Sequence, residues 1–403
     1  MKGRLNSVIN TPITGSQIYF LAFVLFFVPT FLLDTTFSSY IGEHIMRVCS
    51  YMALPLLFFK IFIIDNWKKW QTFVILLCLF IGIIDWRAAH NLELLMLVPF
   101  VVGAKEVNFK NIIEWYFYLS VVFLGLIAVF AIIGIIPNLI YRYTGRPTRF
   151  SVGTIFPSVI AAHYLYIALA YYYLRFNKLK YIDYCGIIAG GLACMYLTNT
   201  RLDFVGVILS VPAMIIAQRA FRQKTLSKII ASFYWMASPV IAVLTIFGSF
   251  FYDDNNHIMR KINDLVSGRL SLGHEAFSRY NVKVFGRTIV EHSYTGIKGH
   301  KLADSVGAGM GGTHYFYIDS SYIRMLLLWG LVAFLGIMIL VTYITLRSII
   351  KNTYILAAIF LIASLNFMFE PHIIQIVYNP FILALVARPD FVSKQEDTLN
   401  ASE

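Results

Sequence analysis

Charge is what this sequence has least of. Asp, Glu, Lys and Arg make up only 13% of its 403 residues, about half the share that clothes an ordinary soluble domain. With 59% hydrophobic residues and a mean hydropathy of +0.71, the chain has too much apolar surface for a water-soluble core to absorb. Acids are scarcer than bases, 21 against 33, and the net charge of +12 would suggest nucleic acid in a soluble protein. In a chain built for lipid, the placement of the bases matters more than their sum, and no nucleic-acid partner is expected. Cysteine is nearly absent. Cys49, Cys78, Cys185 and Cys194 all fall inside apolar runs at no metal-ligand spacing, so they read as small core residues. The ten-residue alternating segments of a transmembrane barrel are missing. So is a small-residue cleavage site between "MKGRLNSVINTPITGSQ" and the first apolar run.

What the chain does have is apolar runs near the ~20 residues that cross a bilayer, recurring from end to end. They predict an all-α polytopic membrane helical bundle of about twelve transmembrane helices, with one large, partly helical extracellular loop. The spans read as 17–33, 45–63, 71–85, 91–103, 112–136, 153–174, 182–198, 203–218, 229–251, 320–346, 354–369 and 373–387. This divides the chain into an N-terminal membrane bundle of about nine spans (1–251), the large loop (252–319), the C-terminal transmembrane helices (320–387) and a tail (388–403).

Orientation follows from the bias of Lys and Arg toward cytoplasmic loops. Lys2 and Arg4 precede the first span, and every second loop thereafter is basic. Those loops carry Lys60, Lys68 and Lys69, then Lys105 and Lys110, then Arg175, Lys178 and Lys180. Arg219, Arg222, Lys224 and Lys228 follow, and then Arg347 and Lys351. Arg388 and Lys394 follow the last span, so both termini are expected to be cytoplasmic. The short loops on the other side hold Arg87, Arg142, Arg146, Arg149 and Arg201 and not one lysine. "YRYTGRPTRF" (141–150) concentrates three of these against the positive-inside tendency. Two readings stay open: arginines anchored to outer-leaflet phosphates, or a site that grips a phosphate or diphosphate. A guanidinium binds phosphate oxygens bidentately, which an ammonium cannot do.

The stretch "NNHIMRKINDLVSGRL" places apolar residues at 258, 259, 262, 265 and 266, the spacing of an amphipathic helix lying over the outer mouth of the bundle. "GHEAFSRYNVKVFG" suggests a second short helix with Ala276, Phe277 and Tyr280 on one side, and the glycine-rich segment after it reads as a mobile lid. "GAGMGG" (307–312) lacks the strand and βαβ setting of a nucleotide fingerprint. Asp253 and Asp254 offer carboxylates to a hard cation, but without further acids nearby they read as the polar end of the ninth span. Glu43 and Arg47, four apart, are expected to pair with each other. Arg87, His90, Glu93, Arg201, Asp203, Glu370 and His372 share one membrane depth, where a bundle could gather them around a single cavity.

Three segments carry a family resemblance: "TNTRLDFVGVILS" (198–210), "SGRLSLGHEAFSRYNVKVFG" (267–286) and "THYFYIDSSYIRMLLLWG" (313–330). With the layout of spans and the one large loop before the last helices, the chain resembles bacterial Wzy-type polysaccharide polymerases of the O-antigen polymerase/ligase superfamily. The resemblance covers the whole layout. It implies a GT-C-like membrane bundle in the cytoplasmic membrane, working on undecaprenyl-diphosphate-linked oligosaccharides at the outer face. The growing glycan of an O-antigen, exopolysaccharide or capsule would move from its lipid diphosphate to the non-reducing end of the next lipid-linked unit. A flippase and a chain-length regulator of the same pathway are the implied protein partners. No nucleotide site is needed because the donor is already activated. No metal or cofactor is needed either where arginines stabilise the leaving diphosphate.

On this reading the diphosphate-binding candidates are Arg146, Arg149, Arg201 and Arg269, with Arg279 and Arg87 in reserve. Candidates to accept the acceptor's proton are His314 and Asp319, then His274 and Glu275. Tyr280, Tyr315, Tyr317 and Tyr322 are candidates for stacking on sugars. Surface or interhelical hydrogen bonds are the plain alternative for each polar group. Two other functions use the same features: an O-antigen-ligase-type transferase with the same donor site, and a lipid-linked oligosaccharide transporter or flippase. Transporters show internal repeats and mid-membrane charges; this chain shows no half-to-half similarity, and its charges crowd the boundary.

Overall fold

A computed structural model describes residues 14–142, 147–306 and 315–389, with the side chains of 304–306 excepted. The architecture is an all-α polytopic membrane bundle, 73% helical. Its main helices in chain order are α1 (Gly15–Leu33), α2 (Glu43–Ile64), α3 (Lys69–Ala89), α4 (Glu93–Gly103), α5 (Phe109–Ile132), α6 (Pro157–Arg175) and α7 (Tyr181–Thr198). Then come α8 (Arg201–Phe221), α9 (Thr225–Phe250), α10 (His257–Leu265), α11 (Arg269–Arg279), α12 (Gly296–Val306), α13 (Ser321–Ile350) and α14 (Ile355–Asn366). Eight of these, α1, α2, α3, α5, α7, α8, α9 and α13, are long and apolar enough to cross a membrane. A lone two-stranded ribbon pairs β1 (Ile140–Tyr141) with β2 (Arg149–Phe150), antiparallel, Tyr141 opposite Arg149.

Eleven of the twelve apolar runs are helices; the run 373–387 is not an α-helix. It crosses the bundle as turns followed by a 3₁₀ segment, Pro380–Leu385. Pro380 removes a backbone donor in mid-run, and protein takes up the freed groups. Asn379 donates to the Ile373 carbonyl (2.8 Å), Tyr116 to that of Tyr378 (3.1 Å), and Arg347 to that of Leu385 (3.2 Å). Its residues are almost wholly buried in protein, a setting in which irregular backbone is tolerated at membrane depth.

The two ends of the bundle differ in chemistry. At one, Lys60 is paired with Asp65 (2.8 Å) and donates to the Lys105 carbonyl (2.9 Å). Nearby, the Arg388 and Val107 backbones bond. Gly15 packs against Lys60, so the described chain enters and leaves at this lysine-rich end. At the other end, the turn after α1 bonds to residues 153–155, and Arg149 reaches the end of α7. The chain after α14 there bonds to Ser321.

The large loop sits at this second end and is firmly seated. Residues 281–287 bond along the start of the helical part of α13 after its π-turn: Arg287 N–H donates to the Leu328 carbonyl (3.0 Å), Leu331 to Lys283 (2.9 Å) and Val332 to Val284 (3.1 Å). Two glycines make this contact possible. A Cβ on Gly286 would lie 2.4 Å from the Leu328 oxygen, and one on Gly330 2.5 Å from the Phe285 carbonyl carbon. The expected helix at 257–265 forms, but its apolar face is turned away from the bundle, with Ile258 70% and Leu265 76% exposed. The reason is Asn263, buried on the opposite face, where its Oδ1 accepts from the Leu270 and Ser271 amides (3.1 Å each) and fixes the start of α11. The second helix, α11, buries Ala276 and packs Phe277 and Tyr280 against Phe316 and Ile318. Where a glycine-rich lid is expected, residues 296–306 form α12 instead; "GAGMGG" lies outside the described residues.

Candidate functional site

Among the described residues, the second end holds a cavity of about 350 Å³ lined by side chains from four separated stretches of chain. Arg149 reaches it from the ribbon. Its Nε donates to the Thr198 carbonyl (2.8 Å) and its guanidinium lies 5.2 Å from the Phe156 ring centroid. Arg201 opens α8 beyond a left-handed turn at Asn199 (φ +50°), and is exposed in the mouth. Asp203, two residues on, is buried and accepts from Asn366 Nδ2 (3.0 Å), which ties α8 to α14. Arg269 is the first residue of α11, after Ser267 and Gly268, both at positive φ. Gly273 lets that helix press on α9 and α13, since a Cβ there would fall 2.5 Å from the Ser249 hydroxyl. Asp264, Ser267 and Glu370 also line it, with Ser158, Asn199 and Thr200.

Arg269 is joined to Asp319, Nε to Oδ2 at 3.4 Å, with side chains only 15% and 13% exposed. Burial works against the charge on Arg269, but Asp319 and Glu370 outweigh it and raise its hold on the proton. Burial also raises Asp319 above the usual carboxylate range, with Arg269 pulling the other way. Glu370 is pushed up more strongly, first by burial and then by the carboxylates of Asp203 and Asp319. Its neighbour His372 (Nε2 to Oε2 3.6 Å) is pushed down to about 4 by burial, despite its bond to Gln375. Of the two, the carboxyl therefore holds a proton more readily than the imidazole.

Of the polar groups expected around one cavity, Arg201, Asp203 and Glu370 line this one, Glu93 lines another, and His372 lies between them. A second cavity, about 160 Å³, is lined by Asp34, Arg47, Asn91, Glu93 and Gln375. A chain of contacts runs from one to the other: Glu370 to His372 (3.6 Å), His372 Nδ1 to Gln375 Oε1 (2.7 Å), and Gln375 Nε2 donating to Glu93 (3.5 Å). Tyr378 lies stacked between His372 (3.6 Å) and His163 (4.1 Å), and its hydroxyl donates to Asp34 (2.8 Å). Arg87 and His90 are exposed and line neither cavity. Arg47 pairs with Glu43 at 3.7 Å on the exposed side.

The structure thus brings Arg149, Arg201 and Arg269 together, with Asp319 attached through Arg269. Arg146 and His314 lie outside the described residues. The other candidates stand elsewhere because nearer partners hold them. Arg279 is paired with Glu275 and stacked 4.3 Å over Phe316. The His274 Nδ1 contacts the Ser249 and Phe250 carbonyls (3.1 and 3.3 Å). Tyr280 packs on Phe316 beneath Arg287. Tyr317 lies under Arg324, itself paired with Glu291 (2.7 Å). Tyr322 is fully buried with its hydroxyl on the Ser364 carbonyl (3.0 Å), so it offers no surface to a sugar. Tyr315 lies tilted against Tyr294 (ring centroids 5.3 Å), close enough to the Arg269–Asp319 pair to feel both charges. From the sequence, Asp203 and Glu370 were expected only at the same membrane depth as Arg201, where one cavity could gather them. Their partnership with the arginines comes from helix packing. No group of His, Cys, Asp and Glu suited to a metal ion occurs among the described residues.

Comparison with protein-family models, curated proteins and solved structures returned no match to any of them.

Proposed function

We propose that this chain is a lipid-diphosphate-dependent glycosyltransferase of the polysaccharide-polymerase type, multi-pass in the cytoplasmic membrane, with the arginine cavity on the non-cytoplasmic face. The observation that carries the reading is the convergence of Arg149, Arg201 and Arg269, from three distant stretches, on one cavity at the mouth of a membrane bundle. A lipid-linked diphosphate needs such a place: fixed guanidinium forks at the membrane boundary, beside apolar helices that accommodate its tail. In the reaction, a hydroxyl at the non-reducing end of the next lipid-linked unit attacks the anomeric carbon of the growing glycan. The bond to the diphosphate breaks, and the electron pair leaves with the phosphate oxygen. Guanidinium groups preorganised around that oxygen stabilise its developing charge. Arg269 engaging the diphosphate loosens its grip on Asp319, which then takes the hydroxyl's proton.

The test is a gel assay of purified protein with an undecaprenyl-diphosphate-linked repeat, with and without chelator. A ladder of repeats, lowered about 10²–10³-fold by Arg201→Lys or Arg269→Lys and unaffected by Arg87→Lys, is the expected result. Full activity in both variants overturns it. One added chain instead of a ladder indicates a ligase, and lipid movement without bond formation a transporter. Thiol labelling of cysteines placed at 147 and 149 checks the side; labelling from the cytosol removes the donor assignment.

A further inference from the structure

A groove of about 390 Å³ lies between α3, α4 and α13; it shares no lining residue with the arginine cavity and only Leu97 with the second polar cavity. Its walls are hydrocarbon from Val74 and Ile81 on α3 across Leu94 and Val98 on α4 to Val332 and Leu340 on α13. Gly336 holds it open: a Cβ built there meets nothing within 4 Å. Trp67, Trp70 and Gln71 lie at the lysine-rich end of the bundle, where the ammonium of Lys105 stands 4.1 Å from the Trp67 ring centroid. Lys68 and Lys69 adjoin it in sequence. Of the carboxylates nearby, Asp65 is taken by Lys60 at 2.8 Å and Glu106 is exposed; among the described residues Lys68, Lys69 and Lys105 enter no ion pair, and Lys105 donates to the Asn66 carbonyl.

These features select the occupant. An apolar slot at membrane depth does not hold water, and left empty it forfeits the dispersion contacts of its walls. A neighbouring transmembrane helix needs small residues for close approach, whereas the outer rim of α3 carries exposed Trp70, Phe73, Leu77 and Phe80. From Trp70 to Gly82 the groove follows α3 for about 18 Å, close to the hydrocarbon depth of one leaflet, roughly half of 30 Å. Indoles and unpaired lysines at its mouth match a phosphate headgroup at the interface.

We propose that this groove binds one anionic phospholipid of the leaflet at the lysine-rich end, its acyl chain between α3, α4 and α13 and its phosphate among Lys105, Lys68 and Lys69. The site is independent of the catalytic reading.

The experiment is native mass spectrometry of the full chain released from detergent with equimolar phosphatidylglycerol and phosphatidylcholine. One phosphatidylglycerol is retained, in roughly fivefold or greater preference. Gly336→Phe, whose ring enters the groove, lowers retention about tenfold. Lys105→Glu abolishes the headgroup preference without lowering total lipid retention. In the unaltered chain, Cys78 in the groove wall reports occupancy: phosphatidylglycerol slows its reaction with an apolar maleimide while exposed Cys185 on α7 reacts as before. That readout decides the matter even where Gly336→Phe does not fold. Equal retention of the two lipids, an unprotected Cys78, or a dimer cross-linked through Cys78 overturns the proposal.

Discussion

Removing Arg269 is expected to cost more than removing its partner, and the asymmetry tests the electrostatics of the cavity without any substrate. The Arg269–Asp319 pair is 3.4 Å long and more than four-fifths buried on both sides. Breaking a buried pair by deleting one member costs about 3–5 kcal/mol, because the other charge is left without compensation. Residual solvent contact puts Arg269→Ala near the lower end, about 3 kcal/mol. It also leaves Glu370 and Asp203 facing Asp319 without a cation that now attracts all three. Asp319→Asn keeps an acceptor in place, and Arg269 still faces Glu370 and Asp203, so about 1–2 kcal/mol is expected. The double variant should fall short of the sum by about 1–3 kcal/mol, the coupling of groups in contact. Thermal unfolding in one detergent, followed by the fluorescence of the six tryptophans, reads these differences. For a chain of this size, about 1–2 °C per kcal/mol is expected, so Arg269→Ala lowers the midpoint by about 3–6 °C. Equal effects of the two single variants, or strict additivity in the double, would refute the reasoning.

Gly330→Ala places a side chain at φ +86° and ψ 176°, a region close to glycine-only, and against the Phe285 backbone. A loss of about 2–4 kcal/mol is expected, with faster amide exchange at Arg287, Leu331 and Val332, whose hydrogen bonds hold the large loop down. Burial pushes Asp34 from its ordinary 3.8 up to about 7, helped by Glu93 and opposed by the Tyr378 hydroxyl and Arg47. Between those values the folded chain holds a proton that the unfolded chain has released, so this group's contribution to stability falls as pH rises through the window. Asp34→Asn keeps an acceptor for Tyr378 and should flatten the decline in midpoint from pH 4 to 7; an unchanged slope counts against the buried carboxyl. Asn263→Ala removes the acceptor for the first amides of α11 and should cost about 1–2 kcal/mol. In the gel assay its loss of activity should be partial, because Arg269 remains but is less well placed.

The helices were legible because the bilayer leaves few alternatives. A lipid-exposed backbone must bond to itself, so each apolar run of sufficient length becomes a helix whatever its detailed sequence. The same rule explains the run that escaped it. Residues 373–387 never face lipid, so neighbouring side chains take over the hydrogen bonding that a helix would otherwise supply. The moment of residues 257–265 announced an amphipathic helix, yet periodicity identifies a face without saying what it meets. Only the structure shows that Asn263 faces inward while Ile258, Ile262 and Leu265 are exposed.

By itself, the sequence determined the class of the molecule and the alternation of its loops, since hydropathy and charge act locally along a chain. It also marked out arginine as the cation of the short loops opposite the lysine-rich ones. Tertiary structure alone decided which arginines meet. Arg149, Arg201 and Arg269 share a cavity with Asp203 and Glu370, whereas Arg279 is held by Glu275 and Phe316 and Arg87 stands exposed. The physical reason is that a charge at the mouth of a bundle takes its partners from whichever helices pack beside it. Packing is set by the shapes of buried residues such as Gly273, Asn366 and Tyr166, not by distance along the chain.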